Sequence, residues 1–106
     1  MLENLGNIME MVKKFQQNVN TVEAQLEQEH IEFNSGDVIK IIMNGQQELI
    51  SIELNPKYLS ADNVALLQDL LVATMNNALA KSREMHQTAM SQLTADMNLP
   101  KIPGLF

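Results

Sequence analysis

Seven apolar residues at alternating steps of three and four run through the first quarter of the chain: Leu5, Ile8, Val12, Phe15, Val19, Val22 and Leu26. A mean spacing of about 3.5 residues holds such a seam against a neighbouring helix along its whole length, whereas the ~3.6-residue period of a free helix lets it drift. No proline interrupts residues 2–29, and Gly6 falls near the end. The spacing therefore predicts one helix over 2–29. At ~1.5 Å per residue it is roughly 40 Å long, more than a compact domain of this size needs, so part of it is expected to project. Met9, Met11 and Phe15 read as seam or core residues.

The period then changes. His30-Ile31-Glu32-Phe33 alternates weakly, and Asn34-Ser35-Gly36-Asp37 is a turn cluster. Val38 to Met43 and Glu48 to Leu54 are β-branched and apolar runs around Asn44-Gly45. Asn-Gly between two such runs signals a hairpin with a type I′ turn, in which both central residues take positive φ. That turn sets Ile39 opposite Ile50 and Ile41 opposite Glu48. It places Ile39, Ile41, Met43, Ile50, Ile52 and Leu54 on a core face, and Val38, Lys40, Ile42, Leu49, Ser51 and Glu53 on a mixed face open to a second subunit. Three strands over residues 30–54 are about the minimum for a stable sheet.

Pro56 ends the last strand, since it cannot donate to a ladder. Ser60 is read as an N-cap and Asp62 suits the positive end of a helix dipole. Residues 61–97 contain no Gly or Pro and predict a second helix roughly 55 Å long. Its first half is broadly apolar, as for packing on a sheet. After Leu79 the apolar face narrows to Met85, Ala89 or Met90, and Leu93, so the second half is expected to leave the core. Residues 98–106 form a Pro-rich apolar tail with Leu99, Ile102, Leu105 and Phe106, which two prolines bias towards an extended form. The expected fold is α+β in the order α-β-β-β-α: a single domain over 1–97 with a three-stranded antiparallel sheet per subunit and two long projecting helices, assembled as a dimer.

Composition narrows the chemistry. The 106 residues are 45% hydrophobic and include no Cys, which excludes disulfides and thiolate metal sites. His30 and His86 are the only histidines, without metal-ligand or catalytic spacing. No GxxxxGK[ST] or GxGxxG phosphate loop occurs. No catalytic, cofactor or metal site is expected. Nothing resembles a signal peptide, and no run approaches the ~20 apolar residues of a membrane span, so a soluble cytoplasmic protein is expected.

The net charge of −6 argues against nucleic acid when taken as an average, but binding depends on where the cations sit. There are seven: Lys13, Lys14, Lys40, Lys57, Lys81, Arg83 and Lys101. Lys13 and Lys14 lie on the first helix, off its seam. Lys81 and Arg83 lie where the second helix loses its broad apolar face. If the helices pack antiparallel, the two pairs approach each other near the projecting ends. Read from composition alone, they are solvated charge on a Met-rich helix.

Several segments carry a resemblance. They are Leu5-Gly6-Asn7-Ile8-Met9; Val38 through Asn44-Gly45; Ile50-Ser51-Ile52-Glu53-Leu54-Asn55-Pro56 with Leu59; Asp69 through Ala78; and Leu93 through Pro100 followed by Pro103-Gly104-Leu105-Phe106. In this order, over nearly the full length, the chain resembles the YbaB/EbfC family of small bacterial nucleoid-associated proteins. The resemblance implies a homodimer whose sheets form the centre and whose helices project as arms that engage duplex DNA. Carried onto this sequence, the DNA-binding candidates are Lys13, Lys14, Lys81 and Arg83, with Lys101 a weaker addition. It also implies a place in the cytoplasm and nucleoid, no enzymatic activity, and an effect on nucleoid organisation and gene expression. With so few cations, binding should be weak and steeply salt-dependent, with little base readout. The alternative is a protein-interaction or adaptor module without direct DNA binding, its arms and tail meeting a protein partner in replication or recombination.

Overall fold

The computed structural model describes residues 2–96, with side chains from Leu5 onward. Its elements follow the order α-β-β-β-α: α1 (Leu2–Gln28), β1 (His30–Ser35), β2 (Ile39–Asn44), β3 (Leu49–Leu54) and α2 (Val64–Asp96). The expected tail, residues 98–106, and Lys101 within it lie outside the described residues.

The three strands form one antiparallel sheet in the order β1-β2-β3. β1 and β2 join through a tight turn in which Gly36 takes φ +54° and Val38 N–H donates to Ser35 O at 3.1 Å. A residue with a Cβ is strained at that φ, so here glycine is a conformational requirement. Ile39, Ile41 and Met43 alternate along β2 onto one face and are fully buried against Ala78 of α2, with Phe33, Leu70, Leu71, Met75 and Leu79 packed around them. A second strut crosses the same interface. Thr74 Oγ1 donates to Leu70 O at 2.7 Å and lies 2.5 Å from Ser35 Oγ. The single threonine proton goes to Leu70, so Ser35 is the donor to Thr74.

The β2–β3 register differs from the one expected. Ile39 pairs with Leu54, Ile41 with Ile52 and Met43 with Leu49, and a bulge lies between Ile42 and Met43. The connection is not a two-residue type I′ turn. Gly45 does not take positive φ; Gln47 does, at 61°. Asn44 is the reason. Its Oδ1 accepts from Gln46 N–H at 2.9 Å and Glu48 N–H at 3.0 Å, while its own N–H donates to Glu48 O at 3.0 Å. The side chain thereby organises a longer loop. The shift is by an even number of residues, so Ile52 and Leu54 keep the core side. The bulge exchanges the remaining two: Leu49 joins Met43's side and Ile50 becomes the extra residue.

α2 rests on β1 and β2, not on β3. Leu49, Ile52 and Leu54 are therefore left 37–44% exposed on the inner face. The outer face carries a charged row: Lys40 Nζ lies 3.0 Å from Glu32 and 3.9 Å from Glu53. Ser60 stands at the N-cap of a 3-10 turn, Ala61–Asn63, without a side-chain cap bond, and the α-helix itself begins at Val64.

Both helices outrun the sheet, and the molecule measures 72 × 23 × 17 Å. The hairpin loop is where they are tied. Gly45 N–H donates to Leu26 O at 2.8 Å and Gln46 Nε2 to Glu23 O at 3.1 Å, on α1. On α2, Ser82 Oγ accepts from Gln47 N–H at 2.8 Å and donates to Asn44 O at 2.9 Å. Leu26 and Ser82 thus stand at one level, and beyond it the helices run antiparallel. α1 and α2 are in contact, and Met90, Leu93 and Thr94 of α2 are buried while Phe15, Val19 and Val22 of α1 are half-buried.

Candidate nucleic-acid interface

Each cation's surroundings follow from its element. Lys40 sits on the sheet between two carboxylates and is neutralised there. Its bond to Glu32 raises its pKa. Glu32 is held below its ordinary value by a hydrogen bond from Asn34 Nδ2 at 3.1 Å and then by Lys40. Lys57 lies 5.8 Å above the Tyr58 ring, at the end of the sheet far from the hairpin loop. Tyr58 Oη donates to Asp37 at 2.9 Å, a bond that raises the phenol's pKa.

The four residues singled out in the sequence are all exposed on the two helices. Lys81 is drawn to Glu84, one turn on, at 3.7 Å. Such an exposed pair holds weakly, about 0–1 kcal/mol. Among the described residues, no carboxylate lies within salt-bridge distance of Lys13, Lys14 or Arg83.

The two pairs are not brought together. Lys81 and Arg83 flank Ser82, at the level of Leu26. Lys13 and Lys14 lie more than three helical turns farther along the arm, roughly 19 Å at ~1.5 Å per residue. The antiparallel packing that was expected to join them separates them, because Lys81 and Arg83 fall at the level of the hairpin loop while Lys13 and Lys14 lie towards the free end of α1. The cations therefore form two stations along one rod. Sequence reasoning missed the set that holds this rod in place, Asn44, Gln47 and Ser82. The signal present was the Asn of Asn44-Gly45, whose side chain often bonds backbone two residues on.

Among the described residues, no three His, Asp or Glu side chains converge as a metal-ligand set. No helix is long and apolar enough to cross a membrane. An open sheet edge, two tethered helices that outrun it and isolated cations along them define a small α+β protein built to present helical arms. The model of the YbaB/EbfC DNA-binding family matches residues 1–97, and the chain belongs to that family. It is similar to a nucleoid-associated protein of Pelotomaculum thermopropionicum, 36% identical over 97% of this chain and 96% of the relative. Nucleoid-associated proteins of Desulforamulus reducens, 38% identical over 97% and 96%, and of Dictyoglomus thermophilum, 35% identical over 99% and 100%, match along the same length.

Proposed function

We propose that this protein is a nucleoid-associated, non-enzymatic DNA-binding protein that acts as a homodimer in the cytoplasm and contacts duplex phosphates through its helical arms. Membership of a DNA-binding family supports the partner. The observation that carries the site is the contrast among its cations: Lys40 is neutralised on the sheet, while Lys13, Lys14 and Arg83 stand exposed on the arms with no carboxylate at bonding distance among the described residues. The bare inner face of β3 supports the dimer, since Leu49, Ile52 and Leu54 are apolar, contiguous along one strand and next to an open sheet edge. Duplication would double the cation stations and space them across two arms.

The binding is weak and reads phosphates. Thirteen carboxylates oppose seven cations, and each arm neutralises only a few phosphates, so affinity falls steeply with salt. Fluorescence anisotropy of a ~30 bp duplex at two salt concentrations tests this. Saturable binding that weakens with salt supports the reading. A clean dimer that leaves the duplex free at low salt overturns it and favours the adaptor reading.

A further inference from the structure

The first third of α1 carries an apolar seam that no described residue covers. Leu5, Ile8 and Val12 are 59, 56 and 62% exposed, and Met9 and Met11 beside them are exposed too. From Phe15 onward the same seam is half-buried, and Leu26 is buried. The change falls where α2 ends. Counting from the shared level of Leu26 and Ser82, fourteen residues along each antiparallel helix set Asp96 opposite Val12, so the last described turn of α2 is also the last cover for α1.

Ten residues follow Asp96, and five of them are large and apolar: Met97, Leu99, Ile102, Leu105 and Phe106. Leu99 comes three residues past Asp96, about 9 Å of extended chain, which reaches from the level of Val12 to that of Gly6 at ~1.5 Å per helical residue. The tail begins where cover is lost, has the length to span the bare seam, and has matching apolar character.

We propose that residues 98–106 cover the Leu5, Ile8 and Val12 seam of their own chain, completing the arm that α2 leaves unfinished. This is independent of DNA binding and of the dimer, whose bare β3 face lies at the other end of the molecule.

The 106-residue chain has no Cys, so Ile8→Cys with Leu99→Cys introduces its only two thiols. A short bismaleimide is expected to join them within one chain. A control pair, Gln17→Cys with Leu99→Cys, points one thiol away from the seam and should join poorly. A product of doubled mass overturns the proposal, because the tail then meets another copy; joining no better than the control also overturns it. Hydrogen exchange gives a second readout. Ile102→Asp should speed exchange at residues 5–12 by about fivefold or more while residues 39–43 keep their rates. Unchanged rates at 5–12 overturn the proposal.

Discussion

Gly45 lies so close to Leu26 that a Cβ built on it would stand 2.9 Å from both Leu26 Cδ2 and Leu26 O. The glycine answers a close approach between loop and helix, not a positive φ. Its N–H bond to the same carbonyl, 2.8 Å long, prevents the two backbones from separating. Gly45→Ala is therefore expected to destabilise the protein by about 1–3 kcal/mol, the usual range for forced overpacking. Leu26→Ala removes the other side of the contact and should cost about 2–5 kcal/mol. Urea unfolding of the two variants measures both.

Ser82 is fully buried in α2 and serves two backbone groups of the hairpin, Gln47 N–H and Asn44 O. Ser82→Ala removes the side-chain partner of both. The expected loss is about 1–3 kcal/mol, and the effect should concentrate at the helix–hairpin junction. Hydrogen exchange at Gln47 relative to residues 39–43 checks it.

On the arms, replacing Lys13 and Lys14 by Glu should weaken duplex binding for all sequences alike, because the proposed contacts are to phosphates. The slope of log affinity against log salt should fall by about one for each lysine lost from the contact. Lys40→Glu, on the neutralised sheet face, should leave that slope unchanged. Anisotropy titrations across salt and sequence distinguish the two outcomes.

Ile52→Asp or Leu54→Asp places a carboxylate on the bare inner face of β3. Static light scattering should then report a mass near the 11.9 kDa of one chain, against twice that for the unaltered protein. Circular dichroism should keep the helical signal, since neither side chain supports α2.

Glu32 predicts an acid-side effect. Its carboxyl is held below its ordinary value, first by Asn34 and then by Lys40. A depressed folded-state value means that the native protein holds the proton more weakly than the unfolded chain does. The stability it contributes is present above the unfolded value, about pH 4–5, and is lost as pH falls through the lower folded one. Glu32→Gln should flatten that part of an acid titration followed by circular dichroism and leave neutral and alkaline stability unaffected by this linkage.

The helices were legible because their apolar residues recur at helical spacing and no proline intervenes. The inner face of the sheet was legible for a similar reason: Ile39, Ile41 and Met43 alternate, and an error of four residues in register preserves alternation. The register itself was not, because Asn44-Gly45 admits two readings. A type I′ turn uses both residues for their φ, whereas here Asn44 acts through its side chain and Gly45 through its lack of one. The second demand comes from Leu26, nineteen residues away, which no local pattern reports. That the inner side of β3 stays bare was not legible for a related reason. Sequence shows that β2 and β3 are apolar, but not that α2 lies over β1 and β2 and stops short of β3. For the candidate interface, the four cations could be placed on helices, but their separation depends on where the hairpin loop grips the arm.

That grip is a fulcrum. α1 meets the rest of the molecule at the hairpin loop and along the second half of α2, and its first residues lie far out on the same lever. From Leu26 to Leu5 the rod is ~31 Å long, so a rotation of about ten degrees at the loop swings its free end by roughly 5 Å. Successive base pairs are separated by ~3.4 Å along the duplex axis. A change of packing around Gly45 too small to disturb the sheet would thus carry the free end of α1 farther than a full base-pair step.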